Sequence, residues 1–170
     1  MPADTPSRPP IKTSQNLIRV GVLSDTHGHL NPDVLTVLEG VDLIIHTGDI
    51  DSADILTTLA RIAPVYPVRG NMDFGDWVAV IPTEDIIEVG GIMIYARHDL
   101  SKISLDPEAA GIRVILSGHT HQPEAYWHAD RLYLNPGSAS QPRYGHAPSV
   151  ALLEISGSRL TYHFIVLREE

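Results

Sequence analysis

Short runs of apolar residues, each ending in polar ones, recur along the first half of the chain. Residues 17–24, 41–49 and 65–71 are rich in β-branched side chains and too short for helices, which predicts three buried strands. Apolar positions at helical spacing predict helices in the two intervals, one opening at Pro32 and one over 53–62. This alternating order predicts parallel strands joined by right-handed crossovers.

A hairpin and a short helix are predicted in the middle of the chain. Apolar runs at 86–89 and 92–96 flank the dipeptide Gly90-Gly91, which is typical of a two-residue hairpin loop. Residues 105–110 are expected to form a short helix that a glycine ends, and 113–116 another strand.

The last third of the chain is predicted to consist of antiparallel strands. Strand-like runs alternate there with turn residues and cover 125–128, 131–135, 150–155 and 160–167. The sequence therefore predicts an α/β protein with a largely parallel βαβ half and an antiparallel C-terminal half.

The N-terminal residues differ from the rest in composition. Residues 1–16 contain four prolines among polar residues and lack the apolar core of a signal peptide, which predicts a disordered tail. Residues 17–170 are expected to form one domain. No apolar run is long enough for a membrane span, so we expect a cytoplasmic protein without a membrane partner.

Charge and cysteine content narrow the chemistry. Twelve basic and 21 acidic residues give a net charge of −9, which argues against binding to duplex nucleic acid. Cysteine is absent, so any metal must be held by His, Asp, Glu or Asn. A homo-oligomer is possible, and an exposed face that contains Trp77 or Trp127 could form its interface.

Side chains of the kind that bind metals follow the predicted strands. Each has an ordinary explanation alone, because dipeptides such as Gly48-Asp49 are common in turns. Together they comprise two carboxylates, four imidazoles and one amide, about the number needed for two metal ions with a bridging carboxylate. The set is Asp25, His27, Asp49, Asn71, His98, His119 and His121.

These motifs, in this order, resemble those of the calcineurin-like metallophosphoesterases. The matching segments are Asp25-Thr26-His27, Gly48-Asp49, Gly70-Asn71, His98 and Gly118-His119-Thr120-His121. Residues 68–71 and 134–138 also look like the small single-domain phosphodiesterase branch. The resemblance implies a layered α-β-β-α sandwich and covers roughly residues 20–167.

The resemblance also implies a ligand set and an activity. One metal would be held by Asp25, His27, Asp49 and His121, and a second by Asp49, Asn71, His98 and His119. The cofactors would be two divalent ions, with manganese favoured over iron, zinc, nickel or cobalt. A small phosphoester would then be hydrolysed by attack of a metal-activated water. The alternative is a protein-binding scaffold, because this branch is also similar to a retromer scaffold subunit.

Two positions depart from the family pattern. Many relatives carry a histidine after the motif asparagine, whereas Met72 follows Asn71 here. Asp73 or His29 could replace it as the acid, so the candidate catalytic residues are Asn71, Asp73 and His29, and we expect aryl phosphodiesters to be favoured over alkyl ones.

The second departure lies around His98, where the family more often has small neighbours. Arg97 could contact phosphate, but pairing with Asp99 is the favoured interpretation. Either arrangement would affect the second metal site.

Overall fold

The computed structural model describes residues 10–11 and 16–170. The strands are β1 (Ile18–Leu23), β2 (Leu43–His46), β3 (Val65–Pro67), β4 (Glu84–Val89), β5 (Ile92–Arg97), β6 (Val114–Leu116), β7 (Pro123–His128), β8 (Arg131–Pro136), β9 (Ser149–Ser156) and β10 (Arg159–Val166). The helices are α1 (Asp33–Val37), α2 (Ala53–Leu59) and two 3-10 helices, Asp76–Val80 and Leu100–Lys102.

Two mixed five-stranded sheets form the centre of the fold. The first has the order β10-β9-β1-β2-β3, with β1, β2 and β3 parallel. The second has the order β4-β5-β6-β8-β7, with β5, β6 and β8 parallel. The predicted α/β class and its parallel first half are confirmed. The last hairpin, β9–β10, returns to the first sheet and pairs antiparallel with β1.

The two α-helices follow the predicted intervals but are shorter. Ser52 accepts a hydrogen bond from the backbone N–H of Asp54 and so caps the start of α2. The helix ends at Leu59, before Pro64. In the part of the chain that the structure describes, no helix is long and apolar enough to cross a membrane.

The glycine hairpin is confirmed and the short helix after it is not. Gly90 and Gly91 both have positive φ, at 56° and 82°, as a type I′ loop requires. Residues 105–110 form turns instead of the predicted helix, and that prediction is wrong. Only one i to i+4 bond forms, from Ala110 N–H to Asp106 O, before Gly111 at φ 69° ends the segment.

Three groups of buried side chains define the layers. The largest lies between the sheets and includes Val20, Ile94 and Leu153. A second packs α1 and α2 on the outer face of the first sheet. A third, around Tyr95, is covered by the segment of the second 3-10 helix and the turns after it. The layered sandwich is confirmed, with its fourth layer made of 3-10 helix and turns.

The predicted tail falls mostly outside the described residues. Within it, Ile11 forms a parallel bridge with Val89 and donates its N–H to Glu88 O at 2.8 Å. The disorder predicted for 1–16 stays a prediction.

Candidate metal centre

The metal-binding type residues all lie in loops after strands, where the carboxyl ends of the two sheets meet. Asp25 and His27 follow β1, Asp49 follows β2, and Asn71 follows β3 in the first sheet; His98 follows β5, and His119 and His121 follow β6 in the second. In α/β sheets ligands bind beyond the carboxyl ends of the strands. Packing the sheets face to face therefore brings the two groups together.

The loops place many of these residues in the left-handed region of backbone conformation. Positive φ costs a non-glycine residue about 1–3 kcal/mol and persists only where the surroundings enforce it. Six non-glycine residues of these loops have it: Asp25 (54°), His27 (48°), Asp49 (54°), Asp51 (65°), His119 (72°) and His121 (61°). Strain concentrated in this way is typical of a functional site.

A single oxygen lies at the centre of the site. Asp25 Oδ1 is 3.3 Å from His121 Nε2, 3.7 Å from His27 Nε2 and 3.9 Å from His98 Nε2. Asp49 Oδ2 is 3.2 Å from His98 Nε2 and 3.9 Å from His27 Nε2. Two groups capable of holding an ion therefore share Asp25, one with His27 and His121 and one with Asp49 and His98.

The tautomers of these histidines follow from their outer hydrogen bonds. His98 Nδ1–H donates to Thr47 O at 2.8 Å, and His121 Nδ1–H donates to Gln141 O. A carbonyl oxygen can only accept, so Nε2 of each neutral ring carries a lone pair. His27 Nδ1 likewise contacts Asp51 Oδ2 at 3.2 Å.

Hydrogen-bond acceptors therefore face one another at the centre, because the Nε2 lone pairs of the histidines point toward each other and toward the carboxylates. His27 Nε2 lies 3.1 Å from His121 Nε2. Among the described residues, Asp25 Oδ1 and His98 Nε2 are buried without a hydrogen bond. An unpaired buried polar atom costs about 1–3 kcal/mol, and converging lone pairs also repel each other. A divalent cation satisfies these atoms together, so this donor set fits a metal.

The pKa shifts reflect the same crowding of charge. Burial favours the neutral form of Asp25, but the imidazoles of His121 and His27 outweigh it and hold the pKa of Asp25 well below its usual range. Contact with Asp25 raises the pKa of His27. Burial lowers the pKa of His98, but Asp49, Asp25 and the Thr47 carbonyl together raise it above its usual value. Protons and a cation thus compete for the same nitrogens.

Asn71 and His119 lie beside this centre as a pair of their own. His119 Nδ1 is 3.2 Å from Asn71 Oδ1, and its ring meets that of His98 edge-on with 5.2 Å between centroids. The His119 side chain is 45% exposed, and its Nε2 is 4.0 Å from Asp99 Oδ2. The structure brings the other five predicted ligands together and places these two at the solvent side.

The other candidate catalytic residues have contacts away from the centre. Asp73 is buried: its Oδ1 accepts the N–H groups of Ile50 and Asp51, and its Oδ2 accepts that of Gly70, all at 2.8 Å. His29 pairs with Glu170 near the end of the chain. Asp73 therefore positions the loops after β2 and β3. Its role and that of His29 as acids stay predictions.

The predicted pairing of Arg97 with Asp99 is wrong. Arg97 Nη1 donates to Glu84 Oε2 at 2.7 Å. Glu84 and Arg97 lie directly opposite each other in the antiparallel β4–β5 register. Side chains opposite each other on paired strands are closer than side chains two positions apart along the chain, such as those of Arg97 and Asp99. Asp99 instead accepts the N–H and hydroxyl of Ser101.

Sequence reasoning missed several residues that position the centre. Asp51 orients His27, and the hydroxyls of Ser138 and Ser140 both donate to Asp25 O, at 2.8 and 2.9 Å. Asn135, in the matching segment 134–138, donates from Nδ2 to Gly118 O at 2.9 Å and so holds the loop after β6. For Asp51, the sequence signal was its position two residues after the predicted ligand Asp49.

His46 is buried beneath the centre and belongs to a separate network. Gly48 N–H donates to its Nδ1 at 3.1 Å, so its Nε2–H faces Thr26 Oγ1 at 3.0 Å. Burial lowers the pKa of His46 to about 3. His46 is therefore a buried, neutral, hydrogen-bonded imidazole.

His46 predicts loss of stability in acid. Between its unfolded pKa of about 6.5 and its folded value the unfolded chain binds more protons, so stability falls as pH falls. We expect the free energy of unfolding of the metal-free protein to decrease by about 1.4 kcal/mol per pH unit from this residue. Denaturant unfolding from pH 6.5 to 4.5 measures it.

The variant His46→Asn should have a shallower pH slope than the wild type by that amount. His163→Asn, on the exposed side of β10, is the control and should keep the wild-type slope. Equal slopes for wild type and His46→Asn would contradict the assignment.

Comparison with known proteins agrees with this geometry. The calcineurin-like phosphoesterase superfamily domain matches residues 18–158. A probable metallophosphoesterase of Methanothermobacter thermautotrophicus is 36% identical over 158 residues, 86% of this chain and 91% of that protein.

Solved structures share the fold. Vacuolar protein sorting 29 from Cryptosporidium parvum has a TM-score of 0.77 at 21% identity, covering 90% of this chain and 93% of that one. A novel archaeal phosphodiesterase has a TM-score of 0.75 at 24% identity, covering 88% and 100%. The domain match over residues 18–158 and the 36% identity to the Methanothermobacter protein show that the chain belongs to the calcineurin-like phosphoesterase superfamily.

Proposed function

We propose that this protein is a metal-dependent phosphodiesterase that hydrolyses a small phosphoester with two divalent ions. The observation that carries the proposal is the buried Asp25 Oδ1, which lies within 4 Å of three imidazole nitrogens and makes no hydrogen bond among the described residues. A cation would satisfy all of these atoms at once, and the set lies where α/β sheets bind ligands.

The proposed ligands of the first ion are Asp25, His27, Asp49 and His121. Those of the second are Asp49, Asn71, His98 and His119, with Asp49 shared. When bound, two divalent ions supply charge for the phosphoryl oxygens and lower the pKa of water, with manganese the proposed metal.

The chain's own residues hold this site rigid. Asp51 and the Thr47 and Gln141 carbonyls fix the histidine rings, and Met72 N–H donates to Asp49 Oδ1 at 2.8 Å, which leaves Oδ2 toward the histidines. The hydroxyls of Ser138 and Ser140 are engaged by Asp25 O, so neither is placed as a nucleophile. This arrangement supports direct hydrolysis without a covalent intermediate.

Two cavities that meet at His119 and Asp99 favour a diester over a monoester. One, of about 190 Å³, is bordered by Tyr126 and Tyr133. The other, of about 200 Å³, is bordered by Arg69 and Arg97. A phosphodiester has two ester arms and a monoester only one. The archaeal neighbour described as a phosphodiesterase supports the same choice.

The test is hydrolysis of chromogenic esters by protein freed of metal with a chelator and then supplied with Mn²⁺. We expect bis(4-nitrophenyl) phosphate to be cleaved at least about tenfold faster, as kcat/KM, than 4-nitrophenyl phosphate. Diesters with an alkyl leaving group should react more slowly, because Met72 cannot donate a proton to it. Zn²⁺, Fe²⁺, Co²⁺ and Ni²⁺ are compared in parallel, and activity that survives chelation would contradict the proposal.

The alternative is a protein-binding scaffold. The structural likeness to vacuolar protein sorting 29 favours it, and exposed apolar side chains such as Phe74, 72% exposed, and Val80, 88% exposed, lie on one segment. Stoichiometric metal binding without hydrolysis of any ester by any of these metals would support the scaffold.

A further inference from the structure

One of the two cavities beside the site is lined by cations. Arg69, Arg97 and Lys102 border it, together with Asn71, His98 and His119 of the proposed second metal site. Asp99 is the one carboxylate on its wall. Three cationic side chains against one anionic side chain contrast with a whole chain in which acids outnumber bases 21 to 12.

The Arg69 guanidinium is available for a ligand. Its backbone N–H donates to Pro82 O at 2.7 Å, which holds the residue after β3. In the described part of the chain its side chain has neither an ion pair nor a hydrogen bond, and the residue is half-buried. A half-buried guanidinium is suited to bidentate binding of a carboxylate or phosphate.

Arg97 is held in place on the opposite wall. Its Nη1 binds Glu84, and Glu84 is itself anchored by the hydroxyls of Tyr95 and Ser104. Glu84 forms an ion pair with Arg97 and lies outside the cavity lining, so Arg69 and Lys102 supply the cationic charge that Glu84 does not offset. Lys102 ends the second 3-10 helix and is exposed at the cavity.

Asp99 offsets only one of the three cationic charges, and it lies near Lys102 and His119. Its Oδ1 accepts the N–H and hydroxyl of Ser101 at 3.0 and 2.7 Å, and its Oδ2 faces His119. The cavity therefore keeps an excess of positive charge on the side where the reacting phosphate would lie.

We propose that this cavity binds a second anionic group on the substrate, carried by one ester arm of the phosphodiester, with Arg69 as the specificity-determining residue. The inference rests on the proposed function. A carboxylate and a phosphonate share the chemistry that the cavity recognises. A nucleic-acid strand would supply a neighbouring phosphate too, but the net charge of −9 and the small volume favour a short substrate.

The kinetic test uses three matched diesters: 4-nitrophenyl propyl phosphate, its 3-carboxypropyl counterpart and its 3-phosphonopropyl counterpart. With Mn²⁺, kcat/KM should be at least about tenfold higher for an anionic arm than for the propyl arm, mainly through KM, because the arm is remote from the broken bond. The net negative charge of the protein would by itself disfavour the anionic arms, so it cannot cause this preference. The ratio between carboxylate and phosphonate identifies the preferred group, and a single-stranded oligonucleotide should be a poorer substrate than either.

Arg69→Gln should reduce the advantage of the anionic arm to less than about threefold. Arg61→Gln is the matched control, since it removes the same charge from an exposed position after α2 outside the cavity, and it should keep the wild-type ratio. Equal kcat/KM for all three diesters, or an unchanged ratio in Arg69→Gln, would overturn the inference.

Binding measured without catalysis separates this inference from the proposed function. Calorimetric titration of the Mn²⁺-treated protein with propylphosphonate and 3-carboxypropylphosphonate should give at least about tenfold tighter binding of the carboxylate, lost in Arg69→Gln. If no diester is hydrolysed while this preference holds, the proposed function fails and the anion site stands. If diesters are hydrolysed and the preference is absent, the anion site fails alone.

Discussion

Asp25→Asn is expected to abolish binding of the first proposed ion, to weaken binding of the second, and to lower kcat/KM for an aryl phosphodiester by more than about 100-fold, beyond the effect of losing an outer partner. Asp25 is a proposed ligand of the first ion, and it also groups with Asp49 and His98 on the side of the second. The amide is uncharged and a poorer ligand than a carboxylate. The substitution therefore removes the negative charge at the centre of the site while changing a single group.

The same variant should remain folded. Asp25 Oδ2 accepts His119 N–H at 3.1 Å, and the carbonyl of an asparagine can keep this bond. Its NH2 group would then face the Nε2 lone pairs of the histidines and donate to them. Thermal unfolding of the metal-free proteins measures this, and metal content per chain measures the loss of binding.

A second readout is independent of metal and activity. Because Asp25 is the main cause of the raised pKa of His27, Asp25→Asn should lower that pKa in an NMR titration of the metal-free protein. Asp54→Asn, which alters an exposed carboxylate on α2, is the control for all three measurements. Full metal content in Asp25→Asn would refute the proposed centre.

Gly118→Ala should be among the most damaging single-methyl additions in the chain. A Cβ at this buried position would lie 2.0 Å from Ser24 Oγ and 2.9 Å from Asp25 Oδ2. Its φ is not positive, so the cost is steric. We expect the free energy of unfolding to fall by about 3 kcal/mol, the upper part of the range for overpacking, with weaker metal binding because Asp25 must move.

A double-mutant cycle tests this cause. Ser24 Oγ has a long contact of 3.5 Å with Gly48 O and also helps to stabilise the Asp25 carboxylate, so Ser24→Ala alone should cost about 1 kcal/mol. Combined with Gly118→Ala it should recover at least about 1 kcal/mol.

Gly157→Ala serves as the comparison for backbone strain. Its Cβ would meet open space, although its φ is 59°, so the loss should be about 1 kcal/mol. Additive effects of Ser24→Ala and Gly118→Ala, or equal losses for the two glycines, would show that the close approach to the Asp25 loop is not the cause.

Several features could be predicted from the chain because they depend on local chemistry. The apolar runs before Ser24 and Asp49 indicated strands, and the Gly90-Gly91 dipeptide indicated its hairpin. The failure at 105–110 has a local cause as well: the segment completes a single turn before Gly111 takes a positive φ. Five or six residues contain too little periodic pattern to separate a turn from a helix.

Residue types and their order along the chain were enough to predict which chemical groups are present and roughly where they lie. Seven ligand-type side chains follow strands, cysteine is absent, and parallel strands place their carboxyl ends at one edge. These properties depend on residue type and order, and no long-range contact is needed to infer them.

Only the tertiary structure decided which atoms meet. His121 lies within 3.3 Å of Asp25 although 96 positions separate them (121 minus 25), because two sheets pack at their carboxyl ends. Arg97 binds Glu84 through the β4–β5 register, and Arg69 lies beside the proposed second metal site without an ion pair among the described residues. Distances between remote residues depend on how whole sheets pack, and a local pattern of apolar and polar residues does not contain that information.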